Sequence, residues 1–132
     1  MAMIGDRVGD ARVKWYVERL LRDGRYPFGT VKLQKMDEVI RICREAEVPL
    51  VMVEMPLADI LHKHLPEGTY QQYLERVRGL ARKERIDFIE LSELGIVLSN
   101  SDFLDQSHLN LQGATRISRA LATQVLGDVL RE

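Results

Sequence analysis

The chain has 132 residues, a length that suits one domain. With 45% hydrophobic and 30% charged residues it is a folded globular chain and not a disordered tail. A balance of 19 basic against 20 acidic residues leaves a net charge of -1, so no bulk basic field draws in nucleic acid or an anionic membrane. No apolar run approaches the ~18 residues of a membrane span, and residues 1–7 hold no apolar signal core. Cys43 is alone, which excludes a disulfide framework and a cysteine-built zinc site.

Residues 1–10 are polar and glycine-containing and are expected to be loosely held, with the domain proper running over 11–132. Over 11–22 the apolar residues Val13, Tyr16, Val17, Leu20 and Leu21 recur at helical spacing. Asp23-Gly24 supplies a left-handed stop, and residues 25–29, with Pro27, read as a loop. Thr30 is placed as the N-cap of a second helix carrying Leu33, Met36, Val39, Ile40 and Cys43 on one face. That helix ends near Ala46, since Pro49 forbids its continuation.

Residues 50–53, Leu-Val-Met-Val, form a continuous apolar run whose length suits a strand buried on both faces of a parallel sheet. A short helix or turn is expected over 57–65, closed by Pro66. Thr69 then caps a longer helix bearing Tyr70, Tyr73, Leu74, Val77, Leu80 and Ala81 and stopping around Arg85. Residues 87–91 are a second strand, 92–102 are irregular with room for a helical turn, and 103–110 are a loop. Asn110 caps a final helix that buries Ala114, Ile117, Leu121, Val125 and Val129.

Two short strands joined by a helical crossover favour a right-handed parallel unit, so the fold class is α/β, a parallel sheet flanked by helices. Two strands are few for an open α/β sheet. An exposed parallel edge with apolar faces invites pairing. The chain therefore reads as a partial domain. The partner expected at its open edge is a second copy, giving a homodimer, or a missing N-terminal half.

Residues 103–114 carry the chemistry. They place Asp105 three residues before His108 in a loop that follows a strand and precedes a helix. A turn brings side chains at that spacing together. The Asp105 carboxylate then accepts the Nδ1 proton of His108, fixes the tautomer and leaves Nε2 to take a proton from a nucleophile. Asn110 rigidifies the loop exit. Gly113 and Ala114 are small enough for the first helical turn to pack closely on the sheet, and Phe103 and Leu109 anchor the loop on either side.

The segment Asp-x-x-His-Leu-Asn-x-x-Gly-Ala resembles the C-terminal Asp/His block of the SGNH (GDSL-type) hydrolase superfamily, closest to the branch with polysaccharide O-acetyltransferase-like members. The order of elements over roughly residues 30–130 is similar to that family's second half. The resemblance implies a flavodoxin-like three-layer fold, Asp105 as the orienting acid and His108 as the general base. It implies acyl-ester or acetylated glycan substrates and neither a cofactor nor a metal. It also implies a serine nucleophile in a Gly-Asp-Ser turn and an oxyanion hole built with a Gly and an Asn. None of these blocks is visible: Gly5-Asp6-Arg7 has Arg where the serine belongs. The family is often exported or membrane-anchored, which leaves localisation open here.

Other residues carry weaker signals. Ser107 lies between the pair and is expected to point away from His108, whereas Ser99 and Ser101 on the preceding loop are better placed to act as nucleophiles. His62 and His64 diverge on a helix, so they read as surface histidines and not as metal ligands. Glu54 reads as a solvated or paired carboxylate at a strand end. The basic residues 76, 78, 82, 83 and 85 favourably oppose a helix dipole, and no aromatic interleaving supports nucleic-acid binding. Trp15 and Tyr16 form a candidate docking face. The second functional reading is a non-catalytic, dimeric α/β interaction domain that keeps the scaffold and lacks a nucleophile.

Overall fold

The two apolar runs pair as expected. A computed structural model describes residues 9–22 and 30–127. Strand β1 (Val51–Val53) lies parallel to β2 (Asp87–Ile89), with Met52 opposite Phe88. The expectations for residues 1–8, the Asp23-Gly24 stop, the 25–29 loop and Val129 lie outside the described residues. Around this sheet stand α1 (Asp10–Arg22), α2 (Thr30–Glu45), α3 (Asp59–His64), α4 (Thr69–Glu84) and α5 (Leu111–Leu121). A π-helical turn, Ala122–Leu126, continues α5, and 3-10 turns occupy Leu91–Leu94 and Asn100–Asp102. The protein is a small, mostly helical α/β domain.

Two local expectations are corrected. Thr69 is the first residue of α4 and not its cap: the cap is Gly68 at φ 78°, a left-handed conformation that glycine adopts without strain. Nor is β1 buried on both faces. Val51 is exposed and Met52 and Val53 are half-buried, because β2 is the only strand that pairs with β1 among the described residues.

Besides Ile40, Leu74, Val77, Ala81 and Ile117, buried on α2, α4 and α5, two apolar clusters form around α3, which follows β1. Val13 and Val17 of α1 pack on Leu61 of α3, with Tyr16, Leu57, Ile60 and Leu65 around them. Ile60 also touches a second cluster, in which Ala58 meets Phe103 with Leu98 and Leu109. One run of apolar contact therefore leads from α1 through α3 to the loop that holds Asp105 and His108. His64 Nε2 adds a 2.9 Å contact to Asp10 at the start of α1. The last turns of α2 and α4 meet, joined by Arg44 Nη1 to Glu84 Oε2 at 2.7 Å. No described helix is long and apolar enough to cross a membrane.

Leu61→Ala is expected to lower stability by about 3 kcal/mol, since it removes the residue that both buried valines of α1 pack on. Urea unfolding followed by circular dichroism measures this.

Candidate functional site

The site begins with a buried charge. The Asp102 side chain is 0% exposed. Its Oδ2 accepts from the Ser99 amide at 2.9 Å and from Arg116 Nη1 at 2.6 Å, and its Oδ1 accepts from Gln112 Nε2 at 3.1 Å. Arg116 also donates to the Val97 carbonyl at 2.8 Å, so one guanidinium ties α5 to the chain on the approach to Asp102. Burial favours the protonated acid. The Ser99 amide, Gln112 and Arg116 outweigh it and hold the carboxyl below the usual range.

The loop from Asp102 to α5 closes on itself. Phe103 and Leu109 form an antiparallel bridge, and the Leu104 amide donates to the His108 carbonyl at 2.8 Å. Asn110 fastens the base of the loop. Its amide donates to the Asp102 carbonyl at 2.9 Å, its Nδ2 to the Ser101 carbonyl at 2.6 Å, and its Oδ1 accepts from the Gly113 amide at 2.9 Å as the cap of α5. Gly113 works here and not against the sheet as expected: a Cβ at this position would lie 2.2 Å from the Asp102 carbonyl oxygen. At the loop's far side, the Ala58 amide donates to the Gln106 carbonyl at 3.0 Å, which moors the loop to the start of α3.

Within this frame Asp105 and His108 meet. Both Asp105 oxygens lie near His108 Nδ1, at 2.9 and 2.8 Å. Asp105 Oδ1 also accepts from the Ser107 and His108 amides at 2.9 and 2.8 Å. Partial burial pushes the Asp105 carboxyl up, but the Ser107 amide, the His108 ring and the His108 amide together hold it below the usual range. An ionised carboxylate only accepts, so the proton between the two groups belongs to Nδ1. In the neutral ring Nε2 then carries the lone pair. No hydrogen bond from a described residue reaches Nε2, and the His108 side chain is 73% exposed.

The serines are placed less favourably. Ser107 Oγ lies 3.5 Å from His108 Nδ1, the nitrogen that Asp105 already occupies. Ser99 and Ser101, the better candidates by sequence, have their hydroxyls 2.7 Å apart and bonded to each other. Neither is hydrogen-bonded to His108.

Glu54 is a paired carboxylate, and it is buried. Tyr70 donates its hydroxyl to Oε1 and the Leu91 amide donates to Oε2 at 2.9 Å, which joins the ends of both strands. Nearby, Arg78 grips Glu90 with Nε at 2.9 Å and Nη2 at 2.5 Å, and this ion pair keeps the Glu90 carboxyl low. His62 stands edge-on to the Tyr70 ring while His64 reaches Asp10, so the two imidazoles serve different partners. Among the described residues no three His, Cys, Asp or Glu side chains gather as metal ligands. Arg76, Arg82 and Arg85 are exposed. The Trp15/Tyr16 face divides: Tyr16 packs on the core, and Trp15 lies outside under the Arg19 guanidinium at 5.3 Å.

A family model matches residues 18–130, which span α2 to α5 and include Asp102, Asp105 and His108. The chain belongs to that family. It is an uncharacterised one. No curated protein and no solved structure matches the chain. The geometry of the loop is therefore the ground for any functional reading.

The Asp102–Arg116 pair was not singled out from sequence. Its signal is a Ser-x-x-Asp capping box at Ser99 and Asp102, formed in both directions. The arginine lies 14 residues on, at a spacing that only the fold makes meaningful.

Arg116→Ala is expected to lower stability by about 3 kcal/mol in urea, because it strands a buried carboxylate without its counter-ion. The effect sits at the low end for such pairs because Gln112 and the Ser99 amide remain. Gly113→Ala is expected to cost about 3 kcal/mol, since the new methyl meets backbone that is itself clamped.

Acid is expected to destabilise the protein. Asp102, Asp105 and Glu90 all sit below their ordinary values of 3.8, 3.8 and 4.5. As pH falls past those values the unfolded chain takes up protons first, so stability present above them is lost on the way down to the folded values. Arg116→Ala should shallow that acid limb, which unfolding midpoints measured against pH will show.

Proposed function

We propose that this domain is the Asp/His-bearing part of an SGNH-type acyl-ester hydrolase or O-acyltransferase. The observation that carries the reading is the pair itself. Asp105 holds His108 Nδ1 from both oxygens while Nε2 is turned to solvent, beyond the carboxyl end of a parallel sheet. Open α/β sheets place their sites at that end.

In this reading a serine outside the described residues attacks the acyl carbonyl carbon, and its hydroxyl proton passes to His108 Nε2. The Asp105 carboxylate stabilises the imidazolium that forms. Nε2 then returns the proton to the departing alcohol oxygen, leaving an acyl-serine. Water or an acceptor hydroxyl resolves the ester, again losing its proton to Nε2, which passes it to the departing serine oxygen: water makes the enzyme a hydrolase, an acceptor hydroxyl makes it a transferase. Donors for the oxyanion come with the serine. Acetyl esters, including those on glycans, are the substrate class, and the completed sheet is a flavodoxin-like three-layer arrangement. The serine-bearing part joins at the open edge of β1 as an N-terminal half.

One observation favours a second reading, that of a non-catalytic interaction domain: none of Ser99, Ser101 or Ser107 is hydrogen-bonded to His108 Nε2. Fluorophosphonate labelling separates the two. Protein isolated intact from its native source is expected to label once, at a serine outside residues 9–127, and labelling should slow about a hundredfold in His108→Ala. The 132-residue chain alone should not label. An adduct on Ser99, Ser101 or Ser107 would overturn the external nucleophile, and an unlabelled, folded native protein would overturn acyl transfer in favour of the interaction domain.

A further inference from the structure

An apolar cleft of about 370 Å³ runs along the free side of the sheet, between Met36, Val39 and Ile40 of α2 and Leu50, just before β1, with Met52 on β1. Two geometric facts say what fills it. The first is the alternation of backbone groups along β1. The Glu54 amide donates to the Ile89 carbonyl, so Met52 and Glu54 spend their polar groups on β2. Val51 and Val53 then turn theirs to the open edge, where no described strand pairs with them.

The second is handedness. The α4 crossover links β1 to β2, and the last turn of α2 meets the last turn of α4, with Arg44 bonded to Glu84. Helices on opposite faces would have the sheet between them, so α2 and α4 share one face. Parallel crossovers are right-handed in about 98% of cases. A strand feeding β1 through a helix on that face must therefore lie on the side of β1 away from β2, which is where the cleft is.

Charge supplies the end of the match. Since α2 runs down to the start of β1, its first turns overhang the carboxyl end of the sheet. Lys32 and Lys35 rim the cleft there, with Lys35 also paired to Glu38. They suit a strand with acidic residues at its carboxyl end.

We propose that the edge of β1 and the cleft under α2 form a docking groove for a parallel, apolar β-strand with an acidic carboxyl end, donated by polypeptide other than these 132 residues. This names the manner in which the serine-bearing part joins the proposed site. It rests on the acyl-transfer reading only for what that strand carries, since the groove follows from the sheet alone. An isologous second copy pairing β1 antiparallel with its mate is the competing occupant.

The test uses the 132-residue chain and the capped peptide Thr-Val-Ile-Val-Thr-Asp-Asp with a nitroxide on its amino end. At a free concentration twice its dissociation constant, the peptide should slow hydrogen exchange of the Val51 and Val53 amides about threefold and leave Met52 unchanged. The nitroxide should broaden Val48 and Leu50 and spare Glu54 and Met55. Replacing the two aspartates of the peptide by lysines should weaken binding, and Val39→Asp should abolish it. Val39 is half exposed, so that variant keeps its fold; Met36→Asp serves as a second. Broadening at Glu54 and Met55, absence of protection, or Val51 and Val53 amides already protected before peptide is added, in monomer or in a dimer seen by light scattering, would each overturn the groove. His108→Ala should bind the peptide unchanged, so loss of the groove and loss of the catalytic pair are separate results.

Discussion

The Asp102 carboxylate is out of contact with water, and Arg116, Gln112 and the Ser99 amide are what make its charge tolerable there. Removing a carboxylate from water is expensive unless its lone pairs are met and its charge is balanced. Here both conditions are satisfied from two directions, by the turn that contains Asp102 and by the helix that packs on it. The backbone around that charge is fixed in turn. Its carbonyl receives the Asn110 amide and sits so close to Gly113 that no larger residue fits. The first turn of α5 and the two ends of the 103–110 loop are thereby pinned to one point.

That pinning divides the work at the candidate site. The contact between Asp105 and His108 is local, made by a turn three residues long and reinforced by two backbone amides onto the same carboxylate. What the local turn does not set is where the imidazole sits relative to the sheet. The Phe103–Leu109 bridge closes the loop on itself, the Asn110 contacts fasten its base to the Ser101–Asp102 turn and to α5, and the Ala58–Gln106 bond moors it to the start of α3. A proton-transfer group needs both kinds of constraint: the tautomer is decided by its nearest neighbour, and its reach toward a reacting atom by the scaffold.

The sheet imposes a different constraint. Two strands of three residues each provide little area on which to bury helices, and two apolar clusters form away from them, among α1, α3 and the loop. Glu54 makes the carboxyl end of the sheet rigid by joining Tyr70 of α4 to the amide after β2. The carboxyl end of the sheet is thus tightly tied, while the edge of β1 that no described strand covers keeps an apolar cleft and two outward-facing residues of backbone.

Much of this was legible in the sequence wherever the cause is local. The periodicity of Val13 and Val17, or of Leu74, Val77 and Ala81, marks helical faces because side chains 3 or 4 apart share one side of a helix. The apolar runs at 50–53 and 87–91 mark strands, their parallel pairing follows from the helix between them, and Asn110 declares its helix by its side chain. The Asp105–His108 contact belongs with these, since three residues of chain hold it. The sequence by itself determined those elements and that pair. The tertiary structure alone decided that Gly113 meets the Asp102 carbonyl and not the sheet, that Glu54 is buried between a tyrosine and a distant amide, that β1 is half exposed, and that Arg116 is the counter-ion of Asp102. The contacts of Gly113, Glu54 and Arg116 join residues from about 11 to 37 positions apart. Their approach depends on how helices settle on a sheet, and no spacing along the chain encodes that.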